Sequence, residues 1–200
     1  MSGTAQNLEC YLASLSQKAQ ELGATQAVAV PVVDIVVDER TLLKCLVPVC
    51  SHYGVDMMCP PNVLPVSKFS EMLRCYHGAV LIKVDIPTGD LADGKEKKQP
   101  KAMHIYRDTQ MKLLEIVGRI ESQCISDGYP FAAGLVGGSC PLCEECVGVK
   151  SGLPCRHPFK ARPAMEALGI DVMATAGKAE LDLNFSQDGS RSWMGLVLVD

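Results

Sequence analysis

The chain is expected to form one α/β domain spanning residues 1–200, with a mixed or parallel sheet, flanking helices and two cysteine-rich loops. Three observations carry that expectation. Helical stripes alternate along the chain with short runs rich in Val and Ile, the order of an α/β fold. At 200 residues, 48% of them hydrophobic, the chain can build a core without covalent staples. Its ten cysteines are unevenly spread, with Cys45, Cys50 and Cys59 in one segment and Cys140, Cys143, Cys146 and Cys155 in another.

The elements follow in order. Leu8, Tyr11, Leu12, Leu15, Ala19 and Leu22 recur at helical spacing and Gly23 follows as a stop, so the first element is an amphipathic helix. Residues 26–38 are dominated by Val and Ile. Beyond Pro31, Val33, Ile35 and Val37 alternate with Asp34 and Asp38, which predicts strands on both sides of the proline. Ser67 is placed to cap a short helix with Phe69, Met72, Leu73 and Tyr76 on one face; Gly78 ends it, and residues 79–86 read as a buried strand. A longer helix runs from Met103 to Cys124 with Tyr106, Leu113, Val117, Ile120 and Cys124 on one face. Residues 131–136 and 193–199 complete the strands. Between them Arg162-Pro163 and Leu168-Gly169 bracket a short helix, proline near its first turn and glycine just past its end. There is no internal repeat.

Ten cysteines would suit a secreted, disulfide-bonded protein. The first ten residues, however, hold neither a basic region nor an apolar run of signal-peptide length, so a reducing cytoplasm is the expected setting. Apolar runs such as residues 27–33 fall far short of the roughly 18 needed to span a bilayer. Nineteen basic against twenty-three acidic residues give a net charge of −4 without a basic stripe, so neither nucleic acid nor membrane is an expected partner.

Cys140, Cys143 and Cys146 stand at every third position, with Cys155 shortly after. An iron–sulfur cube presents several irons close together, and closely spaced thiolates on one winding loop can each reach a different iron. Zinc instead draws two separated knuckles to one tetrahedral ion, and a third cysteine in the run is surplus. Iron–sulfur therefore leads over zinc, and disulfides rank behind both. In the first group the spacing is a weaker signal, since buried cysteines are ordinary core residues. Both groups follow strands, and loops beyond strand ends are where open α/β sheets carry their sites, so the two are expected side by side.

These residues resemble a cysteine-rich family of unknown function from anaerobic bacteria and archaea, described as predicted metal-binding proteins. The resemblance rests on Cys45, Pro48, Cys50, Tyr53-Gly54 and Cys59-Pro60-Pro61, and on Gly137-Gly138-Ser139-Cys140 through Cys146, Pro154-Cys155-Arg156-His157-Pro158 and residues 161–172. It covers nearly the whole chain. What it implies is a metal site and an anaerobic setting, with no established reaction.

Seven cysteines divide most simply into four and three. Cys140, Cys143, Cys146 and Cys155 would hold one complete 4Fe-4S cluster, and Cys45, Cys50 and Cys59 a second with one iron lacking a cysteine. An open iron would be a Lewis acid for a small substrate. A closing side chain, His52 or Cys75, would leave an electron carrier, and exchange of ligands between the groups is a further arrangement. Arg156 and His157 are candidates for hydrogen bonds to cluster sulfurs, and His52, Tyr53 and Asp56 for proton donors, each with a plain structural role as the alternative. Cys124 reads as core and Cys10 as a surface thiol. The glycines of residues 134–138 lack the Lys-Ser/Thr of a nucleotide loop and are expected to pack around a cluster. The polar, lysine-rich residues 87–101 read as a solvated loop. The leading expectation is an iron–sulfur protein with a redox or electron-transfer role, acting with a redox partner protein or a small-molecule substrate. The alternatives are an enzyme using an open three-cysteine cluster and a zinc-stabilised interaction protein.

Overall fold

In the computed structural model, which describes residues 2–87, 100–181 and 191–200, four strands form one sheet in the order β1-β2-β4-β3. The strands are β1 (Gln26–Pro31), β2 (Gly78–Ile86), β3 (Ala133–Val136) and β4 (Arg191–Val199). The helices are α1 (Ser2–Glu21), the single turn α2 (Leu43–Leu46), α3 (Val66–Leu73), α4 (Pro100–Ser126) and α5 (Val172–Lys178). Among the described residues no helix is long and apolar enough to cross a membrane.

The α/β class and the helix-flanked sheet are as expected, but the strand directions correct the parallel or mixed sheet. Every strand pairing is antiparallel, with Gly78 opposite Pro31 on one side and Val199 on the other, and Val136 opposite Gly195. β2 and β3 do run the same way, joined through α4 as in a β-α-β unit, but β4 inserts between them in the opposite direction. Alternation of helices and strands along a chain carries no signal for such an insertion.

β2 is apolar along most of its length because both faces of the sheet are covered. On one face Val80, Ile82 and Val84 meet Leu12, Leu15 and Ala19 of α1 and Leu113, Val117 and Ile120 of α4. On the other, Ala79 and Leu81 of β2 and Leu196 and Leu198 of β4 meet Phe69 and Leu73 of α3, together with Met165, Leu168, Ile170 and Ala176. Each such side chain contributes about 1.5–3 kcal/mol on burial, so the central pair β2 and β4 concentrates the stability.

Local expectations differ from the structure at four places. Residues 32–38 leave the sheet: a 3-10 turn (Val32–Asp34) follows Pro31, Val33 is 83% exposed, and Val37 makes only an isolated bridge to Ile170. Ile35 and Val37 still pack on the second core, which explains their period of two without a ladder. Ser67 is not a cap, since α3 begins at Val66 after Pro65. Residues 162–169 form only a 3-10 turn (Glu166–Leu168), closed by Gly169 at φ 85°. Helix α5 was not expected; Asp171 caps it by accepting from Ala174 N at 3.0 Å, but seven residues are too few for a periodic stripe. Most of the stretch read as a loop at 87–101 lies outside the described residues.

A nearly buried ion pair ties α4 to the segment that follows the second cysteine group. Arg162 Nε donates to Glu121 Oε2 at 2.8 Å, and Gly134 N donates to the other carboxylate oxygen at 2.8 Å. Their side chains are 16% and 11% exposed. Removing one partner strands the other charge, so Glu121→Ala is expected to cost about 3–5 kcal/mol. Glu115→Ala, which removes an exposed pairing with Arg119, is expected to cost under about 1 kcal/mol. Urea unfolding of protein with matched metal content reads both values.

Candidate metal centre

The second cysteine loop leaves the sheet where β3 ends, and the sheet and α4 aim it. Gly137 N donates to Met194 O at 2.7 Å. Gly138 then takes φ 74°, and a Cβ there would lie 2.7 Å from the Trp193 ring, so only glycine turns the chain at this point. From α4, the buried Gln110 donates through Nε2 to the carbonyls of Gly137 at 3.0 Å and Ser139 at 2.7 Å, and Arg107 Nε donates to Pro141 O at 3.3 Å. After Cys146 a 3-10 turn (Val149–Ser151) reverses the chain toward Cys155. Arg156 closes the loop, donating from Nη1 to Glu145 O at 2.8 Å, and His157 N donates to Cys155 Sγ at 3.3 Å. The hydrogen bond at Cys155 Sγ thus comes from the His157 backbone, while the Arg156 side chain is used on a carbonyl.

The first group does not sit at the end of its strand, which corrects that expectation. Residues 32–42 cross the second face of the sheet to bring it over, with Asp38 N donating to Gly169 O at 2.7 Å and Thr41 Oγ1 to Glu166 O at 3.3 Å. Cys45 lies in α2, and Cys50 N donates to Cys45 O at 3.0 Å. Cys59 N donates to Asp56 O at 3.2 Å, and Gly54 N to Pro60 O at 2.8 Å, which closes the turn between Cys50 and Cys59.

The loops that carry the two groups adjoin, while Cys45, Cys50 and Cys59 are not among the residues that line the space between them. Ala164 N donates to Met58 O at 3.2 Å, while Val136 N donates to Pro163 O at 3.1 Å and Met165 N to Val136 O at 2.8 Å. Between the loops lies a cavity of about 230 Å³. Cys140, Cys143, Cys146, Cys155 and His157 line it from the second loop, and His52, Asp56, Met57 and Met58 from the first. All four cysteines of the second group therefore line one space.

The electrostatics reproduce the same grouping. Burial pushes the Cys140 thiol up, against a hydrogen bond from the Leu142 backbone, and Cys155, Cys143 and Cys146 push it further. Burial pushes Cys59 up to about 12, helped by Asp56, Cys50, Cys45 and Cys140. Cys45 is raised by burial, then by Cys50 and Glu166. Of these contributions at Cys59, the one from Cys140 is the smallest. The surrounding carboxylates and potential thiolates add up to a site that a cationic group would relieve.

His52 and Cys75, the two candidates to complete the first group, are placed differently. His52 Nδ1 is 2.6 Å from Asp56 Oδ2, and His52 borders the four-cysteine cavity. Cys75 is exposed just after α3, near the Gly78–Val199 end of the sheet, whereas the second loop departs from the Val136–Gly195 end. Cys124 is fully buried and Cys10 exposed, as read, and all ten cysteines are free of disulfides. Sequence reasoning missed Gln110 and Glu166, which hold the second loop from remote elements; nothing local marks either residue.

Ligands of one tetrahedral zinc stand about 3.8 Å apart, from Zn–S bonds near 2.3 Å. Among the described residues no group of three or more His, Cys, Asp or Glu side chains is arranged to hold a metal ion, zinc included. Cys140, Cys143, Cys146 and Cys155 line the wall of one space.

The chain belongs to the family described as predicted metal-binding protein (DUF2284), whose model matches residues 28–199 and so includes both cysteine groups. Neither the curated proteins nor the solved structures gave a match.

Raised thiol pKa values have a direct readout. With Cys59 up at about 12 and Cys124 at about 11, both buried, few of these thiols are ionised at pH 8. In metal-free, reduced protein, iodoacetamide at pH 8 is expected to label the exposed Cys10 and Cys75 first and Cys59 and Cys124 last, with Cys59 labelling accelerating as pH rises. Peptide mapping of a time course checks the order.

Proposed function

We propose that this chain binds two iron–sulfur clusters of the 4Fe-4S type and works in redox chemistry, as an electron-transfer or accessory redox protein. The observation that carries the reading is the single cavity of about 230 Å³ lined by Cys140, Cys143, Cys146 and Cys155. One water occupies about 30 Å³ of liquid, so the space suits a multi-atom group better than an ion. Cys45, Cys50 and Cys59 would hold the second cluster beside it. Bound there, the clusters would supply one-electron transfer. The chain's own residues set the conditions: Gln110, Arg107 and Arg156 hold the second loop in shape, the His157 N–H donates to a cysteine sulfur, and Ala164 N donates to Met58 O of the first loop. A redox partner protein or a small molecule would exchange the electrons.

A second reading, an enzyme whose three-cysteine cluster keeps an open position, draws on the placement of the candidate ligands. Cys75 lies toward the other end of the sheet, and His52 is engaged by Asp56. Substrate would then meet the metal beside Cys45, Cys50 and Cys59.

Protein purified without oxygen is expected to be brown, with about eight irons and matching acid-labile sulfide. A colourless protein holding stoichiometric zinc would overturn the reading. Cys143→Ser is expected to remove about half of the iron. The open-position reading expects His52→Ala and Cys75→Ala to keep the full iron content, and cyanide to change the spectrum of one cluster only. Loss of iron in either variant instead identifies a closing side chain.

A further inference from the structure

Beyond Glu166, next to the cysteine groups, lies a separate cavity of about 850 Å³, within the range of about 300–1,000 Å³ typical of small-molecule sites. Glu166 and Lys44 line it, and they tie it to the first cysteine group: Lys44 precedes Cys45, and Glu166 acts on the Cys45 thiol. Part of its wall is apolar, formed by Ile170, Trp193 and Met194. The indole N–H of Trp193 is already donated to Tyr106 O at 3.1 Å, so the ring offers the cavity apolar surface.

The charged groups of the lining fall into two sets. Each carboxylate is engaged by the protein's own donors. Asp38 accepts from Arg40 N at 2.8 Å and from the Arg40 guanidinium, which holds its carboxyl down at about 2. Asp171 accepts from Ala174 N, and Glu166 from Gly138 N at 3.2 Å. Arg40 is committed to Asp38. The two other cations, Lys44 and Arg191, have no carboxylate partner among the described residues. Arg191 gives Nη1 to the Tyr106 hydroxyl at 2.7 Å and lies 5.9 Å from that ring's centroid. Those contacts orient the guanidinium while leaving most of its five donors unused.

Lys44 and Arg191, the lining cations that no carboxylate of the described residues pairs, stand beside an apolar wall and leave donors for an anionic head group, while Glu166 and Asp171 share the lining. We infer that this cavity binds a small organic carboxylate, its head group held by Arg191 and Lys44 and its apolar body lying against Trp193 and Met194. The site stands on its own residues whatever metal the cysteines hold. With the proposed clusters in place, it gives the class of small molecule that would reach the three-cysteine group.

The test is calorimetric titration of the anaerobically purified full chain with phenylacetate, using acetate, phenylacetamide and inorganic phosphate as comparison probes. Metal content is measured on every sample. Phenylacetate is expected to saturate one site, acetate to bind more weakly for lack of an apolar body, and phenylacetamide to show no binding. Arg191→Gln is expected to weaken phenylacetate about tenfold or more, the loss that follows removal of a charged hydrogen-bond donor. Lys44→Met is expected to weaken it severalfold, and Arg119→Gln, on the exposed surface of α4, to leave it unchanged. Lys44 and Arg191 are both exposed, so circular dichroism should match the parent; if one variant misfolds, the other decides. Absence of saturable binding, or affinity unchanged in both cavity variants, overturns the inference, and phosphate binding as tightly as phenylacetate overturns the assignment to an organic anion. Because iron and zinc content are read separately, failure here and failure of the cluster reading are told apart.

Discussion

The backbone of residues 163–166 is the constraint on which the site depends. Pro163 accepts from Val136 and Met165 donates back to it, so this segment is fastened to the end of β3. Ala164 donates to Met58 of the first cysteine loop, and Glu166 takes Thr41 on its carbonyl and Gly138 on its carboxylate. One short segment is thereby bonded to the last residue before the second cysteine loop, to the loop itself and to two points around the first. Long loops gain little from local structure, and closing them costs chain entropy. Here that cost is met by backbone and side-chain hydrogen bonds at a single junction, next to the end of the buried sheet.

The sheet is firm because it is buried twice. β4 lies between β2 and β3 with its residues alternating into two cores, and Val197 and Leu198 are almost fully enclosed. α4 covers one face and also reaches past the end of the sheet, where Gln110 and Arg107 hold the loop carbonyls. The helix that builds the core therefore also positions the cysteines. Sites carried by rigid elements hold their geometry better than sites carried by loops alone, and this arrangement gives two loops the support of a helix and a sheet end.

Electrostatically the site is built for a guest. Burial and mutual repulsion keep Cys45, Cys59 and Cys140 protonated when nothing is bound, and Asp56 and Glu166 add negative charge nearby. A bound metal group would displace those protons and relieve the crowding. The neighbouring cavity mixes charges, with Lys44 and Arg191 lacking a carboxylate partner among the described residues and Asp38, Glu166 and Asp171 on the same lining. The two sites share Glu166 as a border.

The division between what was legible in the sequence and what was not follows the range of the interactions involved. Helices α1 and α4, strands β2 and β4, the buried Cys124 and the clustering of Cys140, Cys143, Cys146 and Cys155 were readable because each rests on residues a few positions apart. Periodicity reports which face of one element is buried, and thiol spacing reports what a single loop can reach. The strand directions were not readable, because β4 takes its place between β2 and β3 only through pairings with distant segments. Nor was the loss of the expected strand at 33–38, whose alternating residues pack on the core without finding a ladder, or the placing of His52 against Asp56 and Cys75 toward the far end of the sheet. The sequence by itself determined a helix-covered sheet and a thiol-rich donor set. Only the tertiary structure decided how the segment after the second loop meets the first, because that junction depends on hydrogen bonds from Ala164 to Met58 and from Asp38 and Thr41 to Gly169 and Glu166, pairs more than a hundred residues apart in the chain.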